Sequence, residues 1–354
     1  MKLFKCQKCG ETVYFENTFC GNCQSSLGFV AETLQLVSLT VEKNGALRPV
    51  DRSYKTTYRY CANHQHAVCN WLVPADSESV FCKACDLNRT IPALTQPEYA
   101  QRWATIESAK HRLAYALLRM KLPLNNKIKE PETGLAFDFV ADELTDDNEK
   151  VLTGHDNGLI TINIAEADDI EREMARKSMD EVYRTVLGHF RHEIGHYYWD
   201  RLVSTNPATL QKFRNLFGDE QQDYAEALNR HYSQGPVPDW SLRFISAYAS
   251  AHPWEDWAES WAHYMHIVDT VETAFAFGIN IETKISARFS SNIKTDPYEI
   301  KDFSKIISFW LPVTLAMNSL NRSMGLHDIY PFVLSNAAIE KLKFIHELVM
   351  ARRK

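Results

Sequence analysis

All eight cysteines of this 354-residue chain fall between positions 6 and 85, and residues 86–354 hold none. Cys6, Cys9, Cys20 and Cys23 form two CxxC pairs, with Gly10 and Gly21 each placed just after a cysteine. Two residues between cysteines let one tight turn aim both sulfurs at a single tetrahedral ion, and two such turns close a four-cysteine site. Cys61, Cys69, Cys82 and Cys85 are the expected second set, since they use every remaining cysteine and keep the soft thiolate donors together. His64 competes with Cys69, because Cys61 and His64 also stand two residues apart. Closed sites of this type are structural, as no position remains for water. With little apolar material per module, metal binding is expected to supply most of the folding free energy of residues 1–92. Cysteines confined to one stretch suit local metal binding better than disulfides spread through a secreted enzyme, so a reducing, cytoplasmic compartment is expected.

The rest of the composition is that of a soluble globular chain, 45% hydrophobic and 24% charged. A net charge of -6 gives no drive toward nucleic acid or anionic membranes, and no uncharged apolar run is long enough to span a bilayer. MKLFKCQKCGETVYF lacks the continuous apolar stretch of a secretory signal. Stretches such as LQLVSLTVE and TTYRY alternate like strands, whereas Pro92 and Pro97 punctuate a change to helical periodicity. The pattern predicts helices at 98–120, 168–201, 206–216, 220–232, 238–250, 254–277, 302–324 and 335–352. Within 135–165 two strand-like runs, LAFDFVAD and GLITINIAEA, flank the turn-prone HDNG, which predicts a small sheet ahead of the longest helix. The expected fold class is α+β: two small β-rich zinc-ribbon modules, at 1–32 and 33–94, then a mostly helical domain with a small β-sheet at 95–354.

His192, Glu193 and His196 spell HExxH inside MDEVYRTVLGHFRHEIGHYYWDRLV. Four residues apart on a helix, two imidazoles share a face and can grip one ion. Glu193 then stands beside the first ligand, where a carboxylate can take the proton of an attacking water during amide hydrolysis. A catalytic zinc usually takes three protein ligands. The helix that begins at Pro253 carries Glu255 and Glu259 on one face, with Trp257, Trp261 and Met265 on another that can pack into a core. Glu255 is the expected third ligand. Glu259, one turn on, is placed to accept the second ring N–H of a ligating histidine; helical spacing alone leaves the reverse assignment open.

HExxH followed at a distance by ExxAE, here Glu255 to Glu259, is similar to the gluzincin metallopeptidases, and in its ExxAE form to zinc proteases of the lethal-factor type. That resemblance implies an oxyanion role for a tyrosine seven residues before the glutamate ligand, the position of Tyr248. From the cysteine pairs through HPWEDWAESWAHY, the chain resembles a family of bacterial zinc-ribbon-containing zinc-binding metallopeptidases over nearly its whole length. The resemblance implies zinc-dependent hydrolysis without naming a substrate. Residues 197–254 separate His196 from Glu255, room for two or three inserted helices. The resemblance also suggests GLITINIAEA as an edge strand that pairs with extended substrate; its alternation equally fits an interior strand.

The sequence thus predicts three zinc ions, one catalytic and two structural, and a peptide or protein substrate. Indiscriminate proteolysis would harm a cytoplasm, which argues for a narrow substrate set or an autoinhibited resting state. The ribbons could contact a protein partner. Nucleic acid is disfavoured, because residues 1–30 hold three lysines and no arginine. Competing readings keep the metal sites but change the use: a binding or adaptor protein on a non-catalytic scaffold, or a hydrolase of non-peptide amides. His189, His252, His263, His266 and Asp200 read as packed or surface residues, and Arg322 as a remote candidate for clamping a substrate carboxylate.

Overall fold

The first cysteine pair lies in the loop of a short ladder, where β1 (Phe4–Lys5) runs antiparallel to β2 (Thr12–Val13). β3 (Leu27–Val30), β4 (Gln35–Val41), β5 (Leu47–Pro49), β6 (Tyr58–Tyr60) and β7 (Leu72–Pro74) then form a five-stranded antiparallel sheet in chain order. The sheet curls until its ends meet: Phe29 bridges Trp71, and the Phe29 N–H donates to the Asn70 carbonyl at 2.9 Å. At that seam the side chain of Leu72 lies over Gly28, 2.5 Å from where a Cβ would stand, so any larger residue there would force Leu72 to move. Phe4, Phe15, Phe29 and Trp71 fill the interior together with Tyr115, which comes from the first helix. The structure is a computed structural model that describes residues 2–142, 151, 153–178, 185–284 and 289–353.

That helix, α1 (Pro97–Arg119), has Pro97 at its first position, where a missing N–H costs nothing. β8 (Asn88–Thr90), β9 (Ala136–Val140), β10 (Gly154–Asp156) and β11 (Leu159–Asn163) make a four-stranded sheet in the order β10-β11-β9-β8. The HDNG segment is therefore strand and turn together: β10 pairs antiparallel with β11, across Asn157 and Gly158 with φ of 46° and 80°, the left-handed pair of a tight hairpin. β9 pairs parallel with β11. β11 has a neighbour on each side, so of the two readings of GLITINIAEA the structure supports the interior strand and removes the edge strand. α2 (Asp169–Ser178) follows.

The chain divides into two compact units, Met1–Ala175 and Arg176–Lys354. The second holds α3 (Val186–Trp199), α4 (Pro207–Phe217), α5 (Tyr224–Gln234), α6 (Pro253–Ala276), the strand pair β12 (Asn280–Ile281) and β13 (Ser291–Asn292), α7 (Phe303–Ser323) and α8 (Asn336–Arg352). Two helical expectations are corrected. The run 168–201 is not one helix: Thr185 is extended (φ -136°, ψ 153°) and its hydroxyl accepts the Gly188 N–H at 2.9 Å, a cap that starts α3 there. Residues 179–184 of that run lie outside the described residues. The run 238–250 forms only 3₁₀ turns, at Trp240–Leu242 and Tyr248–Ser250. Asp239 has φ 53°, and the Ser246 and Ser250 hydroxyls bond nearby backbone, which competes with helical bonding.

α3 and α6 pack closely, and Gly195 makes this possible: a Cβ there would lie 3.0 Å from Ala258 Cα and 3.1 Å from Trp261 Cβ. Trp257 Nε1 donates to the Gly195 carbonyl at 2.8 Å, and Tyr198 stacks on Trp261. Trp257, Trp261 and Met265 are fully buried. Below them, Lys341 of α8 reaches Asp256 at 2.5 Å, with both side chains almost entirely out of water.

Candidate active site and metal centres

The Thr185 cap and the α3–α6 contact fix where the two histidines meet the two glutamates. His192 Nε2 lies 3.0 Å from Glu255 Oε2, and His196 Nε2 lies 3.6 Å from Glu255 Oε1. These three donor groups converge within 4.8 Å, and all three are wholly or nearly buried. On the other edge of the His192 ring, Nδ1 meets Glu259 Oε1 at 2.7 Å, while Glu259 Oε2 accepts the Ser246 hydroxyl at 2.6 Å. Glu193 is buried on the same helix. Burial works to raise the Glu255 carboxyl, but the charge of His196 and the hydrogen bond with His192 outweigh it and hold it at about 2. Burial disfavours a charged His192, yet bonding to Glu255 and Glu259 drives its pKa well up. Two anionic carboxylates around one buried ring thus create a demand for positive charge. Two imidazole nitrogens and a carboxylate oxygen at these separations are the donor set and reach that suit a zinc ion, whose nitrogen and oxygen ligands bind at about 2.0–2.2 Å.

Tyr224, Ser246 and Trp254 were not signalled by the sequence, whereas Tyr248 was. The Tyr224 hydroxyl, at the first turn of α5, donates to Glu255 Oε1 at 2.7 Å, and nothing in local spacing ties it to a glutamate so far along the chain. Ser246 falls in the segment read as helix. Trp254 lies over His196, with ring centroids 4.2 Å apart. Tyr248 is half-buried, its ring 6.0 Å from that of His192 and 5.7 Å from that of His231. Burial first, then the Glu255 charge, pushes both phenols far above their usual range, so Tyr224 and Tyr248 stay O–H donors.

The remaining candidates have other occupations. His252 caps α6, its Nδ1 accepting the Trp254 N–H at 3.1 Å. His263 bonds the Tyr330 hydroxyl, and His266 takes an N–H from Arg191 at 2.6 Å. His189 is half-buried on α3. Asp200 is half-buried too, and burial raises its carboxyl to about 6. Arg322 makes two bonds of 2.6 Å to Asp328, so its fork is already filled.

In the first unit Cys6, Cys9, Cys20 and Cys23 come together, as do Cys61, Cys69, Cys82 and Cys85. Sulfur separations are 3.6 Å for Cys6–Cys23 and Cys9–Cys20, and 3.7 Å for Cys69–Cys82. Disulfide sulfurs stand about 2.05 Å apart, whereas sulfurs about 2.3 Å from one tetrahedral ion stand about 3.8 Å apart; the spacing suits a metal. Ser25, through its hydroxyl and its amide, lowers the Cys23 thiol to about 6. His64 points away from the second group: its Nδ1 bonds the Cys69 carbonyl at 2.8 Å and its ring stacks on Tyr60. Beside Cys85 lie Glu107 and His111 of α1, which cysteine spacing does not signal.

Comparison with known proteins gives the same division of labour. Residues 3–96 match a zinc-ribbon domain, and residues 99–348 match the family described as "Putative zinc-binding metallo-peptidase". Proteins of Mycobacterium bovis and of two strains of Mycobacterium tuberculosis, each described as an uncharacterized protein, are 42% identical to it over 349 residues, covering 99% of this chain and 95% of theirs. No solved structure matches. No helix among the described residues is long and apolar enough to cross a membrane. With paired histidines facing a glutamate in one unit, clustered thiols in the other, and a family match over most of its length, the chain belongs to this zinc-binding metallo-peptidase family and carries a zinc-ribbon domain in its N-terminal part.

Proposed function

We propose that the chain is a gluzincin-like zinc peptidase that hydrolyses peptide bonds in a narrow set of cytoplasmic protein substrates. The observation that carries this is the convergence of His192, His196 and Glu255 within 4.8 Å, with Glu193 buried on the same helix. His192, His196 and Glu255 would hold the ion, and Glu259 fixes the His192 tautomer through Nδ1. Zinc bound there supplies a Lewis acid for the scissile carbonyl and lowers the pKa of water. Glu193 accepts the proton of the attacking water and passes it to the leaving amine. Tyr248 donates its hydroxyl to the oxygen on which charge develops, and Tyr224 steadies the Glu255 carboxylate. Two further zinc ions, on the two four-cysteine groups, are structural, for a total of three. The ribbon surface is available to a protein partner, while the net charge of -6 disfavours nucleic acid and anionic membrane.

The test combines metal content with proteome-wide cleavage profiling of the wild type and Glu193→Gln. Three zinc ions per chain in both, with cleavage products made only by the wild type, is the expected result. Identical product sets from the two proteins overturn the enzyme reading, and two zinc ions per chain point to a scaffold with structural metal alone.

A further inference from the structure

The two four-cysteine groups differ in their access to water. In the first, Cys9 is exposed and Cys23 half-buried; in the second, Cys61, Cys69, Cys82 and Cys85 are all buried. Zinc with four thiolates carries two net negative charges. Water can solvate that charge at the first site, but at the second the protein must supply hydrogen-bond donors and counter-charge itself.

Three of the four buried sulfurs take a backbone N–H: Cys61 from the amide of Cys82 at 3.3 Å, Cys69 from Trp71 at 3.4 Å, and Cys82 from Cys85 at 3.4 Å. Cys85 instead faces a side chain, with its Sγ 3.7 Å from Nε2 of His111. The other ring nitrogen, Nδ1, lies 2.6 Å from the Glu107 carbonyl oxygen. A carbonyl only accepts, so Nδ1 carries a hydrogen. The Glu107 carboxylate is taken up by Lys110 at 2.8 Å and by Trp103 Nε1 at 3.0 Å, with Lys110 itself wholly buried. Lys110 also bonds Asn88.

We propose that His111, on a helix outside the cysteine-bearing segment, is the side-chain partner that holds Cys85 in the second zinc site, its Nε2 against the Cys85 sulfur and its ring anchored through Nδ1 by the Glu107 carbonyl, while Lys110 and Glu107 pair beside it. The site remains a four-sulfur centre, and α1 becomes part of what retains its metal. Hydrogen bonds to metal-bound groups commonly change metal affinity ten- to hundredfold.

The experiment uses the full chain and two readouts that do not depend on activity. Zinc release to a chromogenic chelator is timed for wild type, His111→Leu and His111→Gln, and the cadmium-loaded proteins are compared by cadmium NMR. Expected are a second-site release at least ten times faster in His111→Leu, an intermediate rate in His111→Gln, which keeps a polar side chain able to hydrogen-bond the sulfur, and a four-sulfur cadmium signal throughout. If His111→Leu does not fold, the rate of His111→Gln decides alone. Unchanged release in the variants overturns the proposal. So does a wild-type cadmium signal of three sulfurs and one nitrogen, which would make His111 a ligand. Neither outcome bears on the peptidase reading, whose test is product formation.

Discussion

Glu259 Oε1 stands 2.7 Å from Nδ1 of His192, 67 residues away in sequence, and this contact joins the histidine helix to the glutamate helix. A carboxylate there holds the ring so that Nε2 faces Glu255. Glu259→Ala is expected to weaken zinc binding at this site ten- to hundredfold, and Glu259→Gln, which retains an acceptor oxygen, by less. Competition with a chelator of known affinity measures both. Equal loss in the two variants would mean that charge, and not orientation, is what Glu259 provides.

The two tyrosines should separate by what they disturb. Tyr248→Phe is expected to lower kcat by about two to three orders of magnitude, the usual effect of removing one oxyanion donor, with zinc content unchanged. Tyr224→Phe removes a bond to the Glu255 carboxylate; bonds to charged groups contribute about 1.5–3 kcal/mol, so this variant should lose zinc more readily. Steady-state kinetics beside metal analysis separates the two effects.

Burial sets an order of metal loss. The first cysteine group, with Cys9 exposed, should surrender its zinc to a chelator before the second, whose four cysteines are buried among Trp71 and Tyr115. Release followed by a colorimetric chelator should show separate phases for the two cysteine groups, and Cys9→Ser should remove only the faster of these two.

Lys341→Met is expected to destabilise the second unit by about 3–5 kcal/mol, the usual cost of stripping the partner from a buried charge, since it leaves Asp256 buried without the Lys341 ammonium. Thermal unfolding checks this. Replacing both residues with apolar ones of similar size should recover much of the loss.

His155 links the first unit to acid. Its Nε2 accepts the Gly158 N–H at 2.8 Å across the hairpin, which a neutral ring can do and a doubly protonated one cannot. Burial lowers its pKa from 6.5 to about 4. The unfolded chain therefore binds more protons between those values, so stability rises with pH over that window and is lost as pH falls from about 6.5 toward 4, by at most about 3 kcal/mol. The protection of the Gly158 amide, its exchange compared with the intrinsic rate at each pH, should fall over this range, and His155→Gln should flatten the response.

The side chains that the structure brings together at the candidate sites were readable because short spacings carry the signal: Cys6 to Cys9, His192 to His196, and Glu255 to Glu259 each span about one turn of chain. Their partners were not. Tyr224 and Ser246 meet the glutamates only through packing between distant segments, and a hydroxyl gives no periodic signal. The 238–250 run shows the limit of periodicity, since its apolar spacing suits a helix while Asp239 in the left-handed region and two serines bonding their own backbone favour a loop. That loop is what brings Ser246 to Glu259 and Tyr248 beside His192. Likewise the parallel pairing of β9 with β11 follows from the chain between them, and the two strand patterns alone do not specify it.

Gly195 gives the separation of the two half-sites a definite origin. The helix bearing both histidines rests on Ala258 and Trp261 through a position with no side chain, three residues after His192 and one before His196. A single methyl group there would act as a shim, widening the gap that an ion must bridge while leaving every donor in place. The tolerance of the proposed metal centre is thus set by an atom the protein leaves out, and the cost of adding it is expected to appear as loose coordination in a chain that still folds.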